Sequence, residues 1–312
     1  MLYLLSEALL DPGDIVLVEA PTYFVFLGIL ESFGAQTIGL TSDVEGITPE
    51  SLEETLDRLN HCGHLERVKF LYTMTYFANP TGRSWSTERK QAILSILRSY
   101  RQRGARLLLV EDGAYRYLDD DRRFTPTTKS YDKENQEVLY LESFSKCLAP
   151  GLKIGCAVGP RDLIGKMADL KGNHDFGTSN FAQQILYRAL DSSWFDKHLE
   201  SVCETYRRKR LCLITALKET VGERIAFDVP RGGFYLWMRL KDNVDTGPKS
   251  DLLQRALAEK VLYVPGEYCY STDRPESRCC SWLRLSYGMV SDELIEEGVE
   301  RLGRAIEPIR ED

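Results

Sequence analysis

A chain of 312 residues is long enough for one large domain or two medium ones with ample core. Apolar residues make up 43% and charged residues 28%, ordinary values for a soluble globular protein. The net charge of −7 argues against nucleic acid as a partner, because phosphates reward clustered Lys and Arg, and no apolar run approaches the length of a membrane span.

The N-terminal M-L-Y-L-L-S-E-A-L-L reads as an amphipathic helix, since it lacks a basic start and carries Glu7 among the leucines. Short apolar runs then predict strands at Ile15–Glu19, Thr37–Leu40, Lys69–Thr73, Leu107–Glu111, Val138–Glu142 and Lys153–Val158. Turn signals such as Asp11-Pro12-Gly13-Asp14 and Asn79-Pro80-Thr81-Gly82 bound them. Helical patterns lie between, clearest from Ser86 to Arg103, with Ser86 or Thr87 as N-cap and Gly104 just past the end. Strands buried on both faces and separated by helices imply an α/β fold with a mainly parallel sheet.

Beyond about Phe181 the texture changes. Phe195 to Thr220 predicts one long charged helix. It is followed by G-G-F-Y-L-W-M-R-L, a helix over Lys249–Lys260, strands Val261–Val264 and Trp282–Ser286, and a closing helix Asp292–Ile306. Residues 1–194 are therefore expected to form a large domain, and 195–312 a bridging helix with a smaller α/β domain. The basic run at 207–210 shares its helix with Glu200 and Glu204 and reads as a solvated face.

Eight cysteines without a C-x-x-C pattern suggest reduced thiols and a cytoplasmic location. His61-Cys62-Gly63-His64 lacks a second ligand pair and reads as a polar loop, so no metal is expected.

Ligands of open α/β sheets bind outside the carboxyl ends of the strands. Three polar groups fall there: Asp112 ends L-L-L-V-E-D, Lys146 follows V-L-Y-L-E-S-F-S, and Asn79 closes the segment after K-F-L-Y-T. Singly each has a plain structural reading, as a cap, a solvated lysine or a turn. Together, a carboxylate, an amine and an amide on one edge form a constellation with catalytic use.

The motifs A-N-P-T-G, V-E-D-G-A-Y, S-F-S-K-C-L-A-P-G-L-K-I-G, R-G-G-F-Y-L-W and W-L-R-L-S-Y-G, in that order, resemble the class I/II aminotransferases. These are fold type I enzymes dependent on pyridoxal 5′-phosphate, and the flavour resembles the 2-aminoadipate, kynurenine and aromatic aminotransferase branch. The resemblance covers essentially the whole chain. It implies that Lys146 bonds the cofactor's aldehyde and shuttles the substrate proton, and that Asp112 keeps the pyridine nitrogen protonated. Asn79 and Tyr115 would hydrogen-bond the ring's phenolic oxygen. Ser143, Ser145 and Lys153 would bind the phosphate, with Lys153 standing where the family usually has arginine. Tyr23 matches the aromatic that stacks on the ring, or is a helix-start residue packed in the core. Arg284 would grip the substrate's α-carboxylate, an anionic partner that an arginine in an apolar strand needs. Gly233, with Gly232 and Phe234, would lie near the substrate or simply form a bend between strands.

The resemblance further implies a transaminase acting on an amino acid and a 2-oxo acid. It also implies N-terminal truncation relative to the family, since Met1 falls inside the helix that follows the family's phosphate-binding turn. A homodimer is expected if the family's N-terminal arm exists. A catalytically impaired homologue and a C–S β-lyase on the same scaffold are the alternatives. A third is an effector-sensing module such as bacterial transcription regulators carry behind a basic winged-helix domain, a pattern not found within these 312 residues.

Overall fold

Continuous runs of valine, leucine and isoleucine, buried on both faces, build the larger of two sheets in a computed structural model that describes residues 1–241, 243–271, 273 and 280–307. Its strands are β1 (Ile15–Ala20), β2 (Gln36–Asp43), β3 (Gly46–Ile47), β4 (Val68–Thr73), β5 (Leu108–Asp112), β6 (Val138–Ser143) and β7 (Gly155–Val158), in the order β3-β2-β1-β4-β5-β6-β7. The five strands from β2 to β6 in that order are parallel. The edges β3 and β7 run antiparallel. Helices α1 (Leu2–Leu9), α2 (Phe24–Ser32), α3 (Pro49–His61), α4 (Thr87–Gln102), α5 (Arg161–Asp175) and α6 (Asn180–Leu190) accompany this sheet. Ser86 caps α4 by accepting the Arg89 N–H, as its position predicts.

The 27-residue α7 (Trp194–Thr220) leads to a second sheet. That sheet contains β8 (Ile225–Phe227), β9 (Tyr235–Leu240), β10 (Val264–Pro265) and β11 (Trp282–Ser286), in the order β10-β11-β9-β8 and antiparallel throughout. Helices α8 (Asp251–Ala258) and α9 (Asp292–Ile306) pack against each other beside it. One contiguous apolar core joins the two sheets: Phe70 and Val110 belong to the same cluster as Leu213 of α7 and Leu236 and Met238 of β9. The two sheets therefore share one continuous packed core.

Two predicted strands are shorter than their sequence patterns. The run Lys153–Val158 enters the sheet only at Gly155, because Lys153 has φ 54° and a left-handed residue cannot continue a strand. The run Val261–Val264 contributes only Val264–Pro265, since Lys260 also turns at positive φ and residues 261–263 are spent leaving α8.

Candidate active site

Asp112 closes β5 and is buried. Its carboxylate has two fixed donors: the Ala114 N–H on Oδ1 at 3.0 Å and the Tyr72 hydroxyl on Oδ2 at 3.0 Å. Burial pushes its pKa up, while the two hydrogen bonds and the Met1 amino group pull it down. The turn after it carries Tyr115 to the same side. Gly113 lets that turn sit directly on Tyr140, whose hydroxyl a Cβ at 113 would approach to 2.4 Å. Tyr115 is buried, and its hydroxyl lies 3.4 Å from that of Tyr235.

Lys146 stands three residues past Ser143, the last residue of β6. It is half-buried and its Nζ lies 5.5 Å from the centre of the Phe234 ring. Burial first, then the Lys153 and Arg284 cations, hold its ammonium below the usual lysine pKa. No carboxylate among the described residues pairs with it. Ser143 Oγ accepts the Ser145 N–H at 3.3 Å, so both hydroxyls belong to one short loop. Lys153 closes that loop in its left-handed conformation.

Asn79 is 1% exposed and comes from the turn after β4. Arg284, central in β11, donates from Nη1 to Asn79 Oδ1 at 2.7 Å. Its guanidinium covers the Tyr235 ring at 4.1 Å and the Phe24 ring at 5.3 Å. Two buried donors, Asn79 Nδ2 and Arg284 Nε, have no hydrogen-bond partner. Tyr23 begins α2 and is half-buried; Tyr235, Asp112 and Arg284 all act on its hydroxyl, which places it among them. Gly233 sits at φ 68° and uses both backbone groups within the protein, its N–H on Leu118 O at 2.9 Å and its carbonyl under the Tyr287 hydroxyl at 3.1 Å. The bend between strands is thus real, and the space beside its α-carbon is taken by Phe77.

Tyr115, Lys146, Arg284 and Tyr23 share neighbours in Tyr235 and Phe234, Asn79 joins them through Arg284, and the Asp112 charge acts on Tyr23 and Tyr115. The three cations Lys146, Lys153 and Arg284 converge with no ion pair among the described residues. Tyr72 looks like core filling within K-F-L-Y-T, and its contact with Asp112 has no signal in the sequence. A separate cavity of about 610 Å³, lined by Arg83, Trp85, Asp228 and Arg231, contains none of the predicted site residues, so its volume does not mark the chemistry.

Residues 1–302 match the family model for aminotransferase class I and II. The chain belongs to this family. An aromatic-amino-acid aminotransferase of Thermococcus litoralis is 31% identical over 97% of this chain and 69% of its own length. A kynurenine aminotransferase of Pyrococcus horikoshii, solved with kynurenine and pyridoxamine phosphate, superposes with a TM-score of 0.88 at 34% identity, over 97% of this chain and 72% of that one. An uncharacterized HTH-type transcriptional regulator of Bacillus subtilis is 31% identical over 99% of this chain, which spans 59% of that relative.

Pyridoxal 5′-phosphate is the cofactor of this aminotransferase family, and the site's own chemistry fits it. Three converging cations suit a phosphate and a carboxylate, and a buried Asp suits a protonated ring nitrogen. The unpartnered Asn79 Nδ2 suits a phenolic oxygen. Among the described residues no helix is long and apolar enough to cross a membrane.

Proposed function

We propose that this aminotransferase transfers the amino group of an aromatic, kynurenine-like or 2-aminoadipate-like donor to a 2-oxo acid. The observation that carries the reading is the closeness of Lys146, with its ammonium pKa lowered, to Arg284, which has no carboxylate partner among the described residues and reaches Asn79 of the large sheet's strand-end turn. Bound pyridoxal phosphate supplies an aldehyde carbon that takes up amino groups and a ring that draws electrons from the substrate's α-carbon.

The protein's part follows from its residues. Ser143, Ser145 and Lys153 hold the phosphate, and Tyr23 covers one face of the ring. Asp112 holds a proton at the ring nitrogen, and Asn79 and Tyr115 orient the phenolic oxygen. Arg284 fixes the substrate's α-carboxylate, which orients the α-hydrogen. Lys146, with its lowered pKa, is suited to take that proton from the α-carbon as a neutral amine and return it. Tyr235 and Phe24 flank Arg284, so a substrate held there meets aromatic surface, and this favours aromatic donors.

Three further expectations belong to the same reading. Residues 1–194 form the cofactor domain and 195–312 the smaller one, in a cytoplasmic enzyme. A homodimer is supported by the apolar surface around α6, where Phe176 is 98% and Phe181 78% exposed.

The test is to add pyridoxal phosphate to the purified chain and record visible absorbance, then add phenylalanine, kynurenine or 2-aminoadipate with a 2-oxo acid. A cofactor band lost in Lys146→Ala, and product formed only with an acceptor, is the expected result. A band unaffected by Lys146→Ala sinks the reading.

A further inference from the structure

Tyr72 belongs to β4, is fully buried, and lies in register with Val110 of β5. Asp112 stands two residues beyond Val110 and therefore on the same face of the sheet, diagonally within reach of a tyrosine. The Tyr72 ring is fixed from behind by Phe26 of α2, with ring centres 4.4 Å apart. Its hydroxyl meets Asp112 Oδ2 at 3.0 Å, while the Ala114 N–H takes Oδ1 at the same distance. Each carboxylate oxygen thus has one donor set by the backbone or by packing, and each keeps one lone pair free. Rotation of the carboxylate would break both bonds at once.

We propose that Tyr72 is a positioning residue for Asp112: its hydroxyl fixes the direction of the carboxylate and keeps it an acceptor, so that a lone pair faces the cofactor's ring nitrogen. This rests on the role given to Asp112 above. The phenol is suited to the task because it remains a donor. Burial first, then the neighbouring Asp112 charge, raises its pKa well above the ordinary tyrosine value, so it keeps its proton throughout the working range. The other titratable groups acting on Asp112 are Tyr23 before α2, Tyr115 in its own turn, Glu142 of β6 and the Met1 amino group of α1. None of these four hydrogen-bonds Asp112.

The test compares the parent with Tyr72→Phe, which removes one oxygen. In the cofactor-free protein, the Asp112 carboxyl is followed by carbon NMR against pH, its signal assigned with Asp112→Asn. Tyr72→Phe should raise the Asp112 midpoint by about one pH unit, since a hydrogen bond to the charged form is lost. Incorporating 3-fluorotyrosine at position 72, a more acidic donor of nearly the same shape, should lower the midpoint instead. It keeps the test available if Tyr72→Phe folds poorly. In the loaded enzyme, Tyr72→Phe should move the acid limb of the kcat/KM profile upward with KM little changed. An Asp112 midpoint that does not move in either variant overturns the proposal for Tyr72. Parental turnover in Asp112→Asn overturns the role of Asp112 itself, and with it any catalytic purpose for Tyr72.

Discussion

Arg284 and Asn79, 205 residues apart, are joined by a 2.7 Å hydrogen bond from Nη1 to Oδ1. This bond ties the strand of the small sheet to the turn after β4 of the large one. The amide of Asn79 is therefore oriented by the arginine, its carbonyl toward Arg284 and its buried Nδ2 left without a partner. The residue proposed to hold the substrate and one proposed to hold the cofactor are mechanically one unit.

Arg284→Lys should expose that coupling. Lysine keeps the charge but cannot serve Asn79 and a carboxylate in a planar fork. Loss of one charge-assisted bond costs about 2 kcal/mol, roughly thirtyfold in kcat/KM. Steady-state kinetics should show most of the loss in KM for the amino acid. A variant with parental KM would remove Arg284 from substrate binding.

Much of this site is legible in the sequence because its residues sit at the ends of apolar strands. Asp112 closes β5, and Lys146 and Asn79 follow β6 and β4, where an open sheet presents its ligands. Arg284 interrupts an apolar strand, which is itself a signal. The Tyr72–Asp112 bond is not legible, because a tyrosine within a buried strand has the same pattern as one packed for its ring alone. α2 is also hard to read: F-V-F-L-G-I-L-E-S lacks an N-cap side-chain bond and is apolar nearly all round. The direction of β7 depends on the left-handed turn at Lys153, a conformation that lysine does not advertise.

The junction of the turn after β5 with α7 rests on a buried ion pair. Arg210 forms a two-point contact with Asp120, and the Asp120 N–H bonds Arg231 O. Asp120→Ala would leave the Arg210 charge buried and unpaired, at a cost of about 3–5 kcal/mol. Urea denaturation should show this loss. Asp120→Ala with Arg210→Met should recover part of it, because no buried charge is then left over. An Asp120→Ala protein of parental stability would show that solvent reaches Arg210.

Glu19, near the end of β1, gives a stability signature against pH. It is buried and accepts from the Thr73 hydroxyl at 2.9 Å and the Trp85 indole at 3.3 Å. Burial, opposed by those bonds and by Arg83 and Arg89, raises its pKa from the ordinary 4.5 to about 7. The folded state therefore binds the extra proton between these values, and stability falls as pH rises through that window. The decline is on the order of 3 kcal/mol at most. Glu19→Gln can accept the same two bonds without a charge to bury. Its stability relative to the parent should rise between pH 5 and pH 8 in paired denaturation curves. A constant difference across that range would mean that Glu19 is ionised throughout.

Lys153 offers a gain rather than a loss. The residue is exposed, turns at φ 54° after the Ala-Pro-Gly segment, and acts electrostatically on Lys146. As a point charge it can attract a phosphate without fixing its orientation, whereas arginine adds a planar, two-pronged donor. The two side chains face the same backbone strain, so Lys153→Arg changes only the head group. Titration of the cofactor-free protein with pyridoxal phosphate should give about three- to tenfold tighter binding in Lys153→Arg, as expected for one added charge-assisted bond in a partly exposed place. Lys146 should stay on the low side of the lysine range, because the neighbouring positive charge is retained. Weaker or equal binding in Lys153→Arg would show that position 153 does not reach the phosphate, and would leave the anion to Ser143 and Ser145.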